Sequence, residues 1–107
     1  MAPTQLEIKV RALQRLLKEE QYYIQELKDQ SLHVESLQKD TSVDPYDLKK
    51  QIEVLDDTKR LLPTLYQKIK EFTDDLEQYL KTYSGDDTID AKETITKATE
   101  LLKKQQN

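Results

Sequence analysis

Along most of this chain apolar residues recur every three or four positions, the spacing that places them on one face of an α-helix. In the first stretch they are Leu6, Val10, Leu13, Leu17, Ile24, Leu27, Val34 and Leu37. In the second they are Leu48, Ile52, Leu55, Leu62, Tyr66, Ile69, Leu76 and Leu80. Between them, Thr41-Ser42-Val43-Asp44-Pro45 is built of turn formers. Folded back about that turn, positions whose numbers sum to roughly 86 face each other, as in an antiparallel helical hairpin. Val10 then meets Leu76, Leu17 meets Ile69, Ile24 meets Leu62 and Val34 meets Ile52.

The punctuation fits the same picture. Thr4 is a plausible N-cap for a first helix over residues 4–40. Asp44 caps a second over 45–83, with Pro45 at its first position, where a missing N–H costs nothing, and Asp47 in its first turn. Ser84-Gly85-Asp86-Asp87 breaks that helix, with Gly85 placed as a left-handed C-cap. A third helix follows over 88–104, its apolar positions being Ile89, Ala91, Ile95, Ala98, Leu101 and Leu102. The fold class is therefore all-α: an antiparallel, up-down-up three-helix bundle forming one domain over residues 1–107.

Length then separates the helices. The first two span ~55 Å each and the third ~24 Å at 1.5 Å per residue. Folded back from Gly85, the third helix sets Ala91 by Leu80, Ile95 by Leu76 and Leu102 by Ile69, and ends near Tyr66. From about Lys18 to Leu65 the bundle should be two helices thick. The middle helix carries a second apolar line, Val54, Leu61, Leu65, Phe72, Tyr79 and Tyr83, within about 40° of arc. Phe72, Tyr79 and Tyr83 are expected in the core, where a central helix touches both neighbours. Val54 and Leu61 lie beyond the third helix, either as scattered exposed residues or as a patch for a partner or a second copy of the chain.

Four seam positions are not aliphatic: Glu20, Ser31, Lys59 and Thr73. Polar seam residues fix register or oligomer state at a cost in stability, and Glu20 is set to accept a hydrogen bond from the Tyr66 hydroxyl opposite it. Pro63 sits mid-helix, where it deletes an N–H and crowds the Lys59 carbonyl, so a kink is expected. That kink either follows the curvature of the bundle or shapes a face for a partner.

Composition narrows the class further. Apolar and charged residues each make up 36% with one glycine, the mix of long helices rather than of disorder. A net charge of −4 argues against nucleic acid, which calls for a basic stripe. No apolar run approaches a ~20-residue membrane span. Met1-Ala2-Pro3 leads straight into the first pattern without a signal-peptide core, and there are no cysteines, so a cytoplasmic protein is expected.

Catalytic chemistry is missing. His33, the sole histidine, falls at an outward position; the neighbouring carboxylates Asp56-Asp57, Asp74-Asp75 and Asp86-Asp87 diverge by ~100° on a helix and do not chelate. One glycine cannot build a phosphate-cradling loop. The expectation is no enzyme, no metal and no cofactor. A bundle of this kind presents long faces instead. Tyr22 points outward amid Lys18, Glu19, Lys49, Lys50, Glu53, Asp57 and Arg60, which is either a solvated charged face or an aromatic-anchored protein interface.

The block Tyr46-Asp47-Leu48-Lys49-Lys50-Gln51-Ile52-Glu53-Val54-Leu55, followed by Asp57-Thr58-Lys59-Arg60-Leu61-Leu62-Pro63, closely resembles the tubulin-specific chaperone A (tubulin-binding cofactor A) family. Ile8-Lys9-Val10 and Arg15-Leu16-Leu17-Lys18-Glu19 resemble it too, and the likeness spans essentially the whole chain. It implies a cofactor-free capture protein that holds β-tubulin released from the cytosolic chaperonin for assembly of the αβ heterodimer, associated with the microtubule cytoskeleton. The alternative is a helical adaptor or dimerisation module. The expected contact residues are Lys18, Glu19, Tyr22, Lys49, Lys50, Glu53, Val54, Asp57, Arg60, Leu61 and Pro63, with the two-helix half also available to a homodimer.

Overall fold

A computed structural model describes residues 2–105. The chain is all-α, with α1 Gln5–Lys39, α2 Pro45–Lys81 and α3 Ile89–Gln105, packed as an up-down bundle. Each helix begins where a side chain or carbonyl takes up its free N–H groups. Thr4 Oγ1 accepts from the Glu7 N–H at 3.1 Å and its hydroxyl donates to Glu7 Oε1 at 3.4 Å. Asp44 Oδ1 accepts from the Tyr46 N–H at 2.9 Å. The turn between α1 and α2 is organised by Asp40, whose carboxylate accepts both the backbone N–H and the hydroxyl of Ser42.

The second break differs from expectation. α2 stops at Lys81, two residues early, in a tightened turn where the Thr82 and Tyr83 N–H groups reach the Tyr79 and Leu80 carbonyls at 3.3 Å. Gly85 has no positive φ and is not a left-handed cap. Its role is spatial: a Cβ there would lie 2.7 Å from both the Tyr83 hydroxyl and the Asp87 carboxylate. Those two groups close over it in a 2.6 Å hydrogen bond.

The chain divides into two compact units. One joins the chain up to Lys18 with everything from Leu65 onward, and the other is the hairpin Glu19–Thr64. α3 lies wholly in the first, so the hairpin is the two-helix stretch expected from the helix lengths. Inside the three-helix unit the register is as read: Lys9 Nζ reaches Asp75 at 2.7 Å and lies 5.4 Å over the Tyr79 ring, bracketing the expected pairing sum. α3 also touches α1, through Gln14 to Thr94 at 3.4 Å. α1 therefore buries a wider arc than its seam, and Leu16, absent from the stripe, is buried.

The core is unevenly shared. Leu6, Val10, Leu13, Leu16, Leu65, Ile69, Leu76, Ala91 and Ala98 are buried in the three-helix unit, whereas in the hairpin the buried apolar side chains are Val34 and Leu55. Buried threonines satisfy their hydroxyls within their own helices, Thr58 on Val54, Thr73 on Ile69 and Thr94 on Asp90.

Two seam assignments and one core assignment change. Lys59 is exposed and Thr58 buried; Ser31 is exposed and Gln30 half-buried; Phe72, expected in the core, is 39% exposed. In α2 the cause is helical drift, since residues seven apart turn by ~20°. Thr58 and Leu65 are buried, but the same column has rotated outward by Phe72. The column Lys59, Tyr66, Thr73 rotates the other way, from exposed through half-buried to buried.

Candidate functional site

Exposed apolar side chains occur in both units, Ile8, Phe72 and Ile89 in the three-helix unit and Tyr22, Leu32, Tyr46, Val54 and Leu61 in the hairpin. Val54 is 39% and Leu61 49% exposed. Seven residues apart, they lie ~20° from each other on α2. Also on the outward arc of α2 stand Lys49, Lys50, Glu53, Asp57 and Arg60, all exposed, while Pro63, exposed too, lies about 160–180° around the helix from Leu61 and Val54. Asp57 and Arg60 are joined by a 2.9 Å ion pair. Lys49, Lys50 and Glu53 have no ion-pair partner among the described residues, so their charges are available to a partner without breaking an internal pair.

On α1, Glu19 and Tyr22 are exposed, and the Tyr22 ring packs edge-on against Tyr23 with centroids 5.6 Å apart. That contact fixes an aromatic side chain while leaving 63% of the residue accessible. Lys18 is exposed but belongs to the three-helix unit, apart from the other ten candidates. Two residues escaped the sequence reading: Leu32, 65% exposed, and Tyr46, 70% exposed. Leu32 falls off the apolar stripe of α1, the same signal that singled out Tyr22. Tyr46 follows the Asp44-Pro45 start of α2, and nothing in the periodicity sets it apart.

Two clefts belong to the three-helix unit. One of ≈ 330 Å³ is floored by Ile8, Ala12 and Phe72, and another of ≈ 340 Å³ lies between α1 and the start of α3. In the latter, Arg11 is held by Glu7 at 3.3 Å and Asp87 by Tyr83. Neither holds a nucleophile with a base beside it, and no group of metal-binding side chains occurs among the described residues. No described helix is long and apolar enough to cross a membrane.

The perturbed titrating groups lie in the two loops. The Ser42 hydroxyl and N–H hold the Asp40 carboxyl below its ordinary value. The hydrogen bond to Asp87, then desolvation and nearby negative charge, push Tyr83 up to about 12.

Residues 1–102 match the family described as tubulin binding cofactor A. The chain is 72% identical over 103 residues to tubulin-specific chaperone A of Saccharomyces cerevisiae, covering 95% of this chain and 97% of that one. It is 34% identical over 82 residues to tubulin-specific chaperone A of Dictyostelium discoideum, covering 77% and 73%. Among solved structures it resembles Rbl2p, a β-tubulin binding post-chaperonin cofactor, with TM-score 0.87, 70% identity, and 94% of this chain and 99% of that one covered.

Proposed function

The chain belongs to the tubulin binding cofactor A family, and from that premise we propose that it is a non-enzymatic chaperone that binds β-tubulin after its release from the cytosolic chaperonin. The observation that carries this reading is the 72% identity across 95% of the chain to a tubulin-specific chaperone A. It holds β-tubulin stoichiometrically in the cytoplasm, covering part of its surface until the αβ heterodimer assembles. No bond is made or broken, so the work is done by surface complementarity.

The contact surface lies on the hairpin. Val54 and Leu61 supply apolar area, Tyr22 a rigid aromatic anchor, and Glu19, Lys49, Lys50, Glu53, Asp57 and Arg60 the polar rim, with Lys18 and Pro63 at its margins. Such an arrangement, apolar and aromatic anchors ringed by charge, is the usual anatomy of a non-obligate interface. The same uncovered Val54–Leu61 line supports a second reading, a homodimer formed through the hairpin.

Pull-down against isolated β-tubulin and against the intact αβ dimer tests the function: preference for free β-tubulin is expected, and equal capture of both would favour a general adaptor. Charge reversal at Lys49, Lys50, Glu53 and Arg60, with helicity followed alongside binding, tests the surface. Retained helicity with lost binding is the expected result, and unchanged binding throughout would move the site to another face. Light scattering across a concentration series reads the dimer directly.

A further inference from the structure

We propose that Ser84, in the link between α2 and α3, is a phosphoacceptor for an acidophilic serine kinase. A kinase needs a free hydroxyl on non-helical backbone, and the structure removes most of the others. Thr58, Thr73, Thr94 and Thr96 donate to carbonyls four residues back within helices. The Thr82 hydroxyl is turned onto the Tyr79 carbonyl, Thr4 caps α1, and Ser42 donates to Asp40. Ser84 is exposed, lies outside the helices and makes no hydrogen bond among the described residues.

Its neighbourhood supplies the recognition. Asp86 and Asp87 stand two and three positions after Ser84, where acidophilic kinases read carboxylates; Asp86 is exposed and makes no hydrogen bond among the described residues, and Asp87 would exchange its bond from Tyr83 for one from the kinase. Other hydroxyls with acids after them fail on structure or count: Thr88 is half-buried and has only Asp90 within the next three positions. Thr73 precedes Asp74 and Asp75 but is 3% exposed in mid-helix. Thr41 has one carboxylate, Asp44, within the three positions after it, against two for Ser84.

In the reaction the γ-phosphorus of Mg·ATP bonds to Ser84 Oγ as its bond to the bridging oxygen of ADP breaks. The hydroxyl proton passes to the kinase's base and ADP leaves. The product carries a charge near −2 at neutral pH. It sits three residues beyond the end of α2, where the helix dipole already disfavours negative charge, and beside the carboxylate that Tyr83 holds. Modification therefore loads the α2–α3 link with like charge.

The test incubates the intact chain with a purified kinase of the casein-kinase class and Mg·ATP, and maps phosphate by mass spectrometry. One phosphate at Ser84 is expected, absent in Ser84→Ala. Asp87→Asn should lower the rate at Ser84 ten-fold or more while leaving helicity unchanged. No phosphate on Ser84 under conditions that label an acidic control peptide, or an undiminished rate in the Asp86→Asn, Asp87→Asn double variant, would overturn the assignment.

Discussion

Tyr83, Gly85 and Asp87 form a small clamp in which each residue has a stated reason to be what it is. Sequence marked Gly85 as a helix stop, which it is, but gave it the wrong mechanism. Backbone freedom is the common cause for glycine at such a position, and only coordinates reveal that a hydroxyl and a carboxylate occupy the space of a Cβ. Gly85→Ala should push those groups apart, and the tyrosine titration, read by ultraviolet absorbance, should fall from about 12 toward its ordinary value of 10.0. The sign for stability follows from the raised value. Protonated Tyr83 is favoured in the folded state, so its contribution is complete below pH ~10 and is lost as pH rises through about 12. Tyr83→Phe should flatten that alkaline loss in thermal melts. Burial sets the other residue-level contrast. Ile69 is fully buried and Val54 is 39% exposed. Ile69→Ala should cost about 2–5 kcal/mol in urea unfolding. Val54→Ala should lie within about 0.5 kcal/mol of the parent, as surface changes do.

At the scale of the elements, caps and breakers were legible because they act within a few residues. Thr4, Asp44 and the Asp44-Pro45 start all work as local chemistry dictates. The buried face was less legible, because a heptad is not a whole number of helical turns. Lys59 and Phe72 each sit on a column that the drift of α2 carries into or out of burial, and a stripe read in sevens cannot follow it. Pro63 remains inside α2, one residue before the hairpin ends. Its ring cannot donate to the Lys59 carbonyl, so Pro63→Ala restores a helical bond. Unfolding free energy should rise by about 1–3 kcal/mol. If β-tubulin capture weakens at the same time, the proline is kept for the shape it gives the face; if capture is untouched, it is merely tolerated.

For the whole molecule, the decisive asymmetry is in the core. The three-helix unit contains Leu13, Ile69 and Leu76 without accessible surface, while the hairpin relies on Val34 and Leu55 together with buried Thr58 and Glu20. Regions with few buried apolar contacts open at lower free energy than the global transition. Native-state hydrogen exchange should therefore be faster, by about ten-fold or more, at mid-helix amides of 22–60 than of 8–16 and 67–79. Bound β-tubulin should slow exchange in the hairpin selectively if that unit carries the contact surface, whereas slowing confined to the three-helix unit would place it there.

The amino-acid sequence alone determined that this protein is helical, where its helices start, the register of α1 on α2 near Lys9 and Asp75, and the two-helix stretch left by a short third helix. Those follow from periodicity, capping chemistry and rise per residue, which are local or additive along the chain. Tertiary structure alone decided which flank of each stripe is buried, why Gly85 is glycine, and that Tyr46 stands uncovered. Each of these depends on what another segment brings into the same few ångströms, and no spacing along one strand of sequence encodes that.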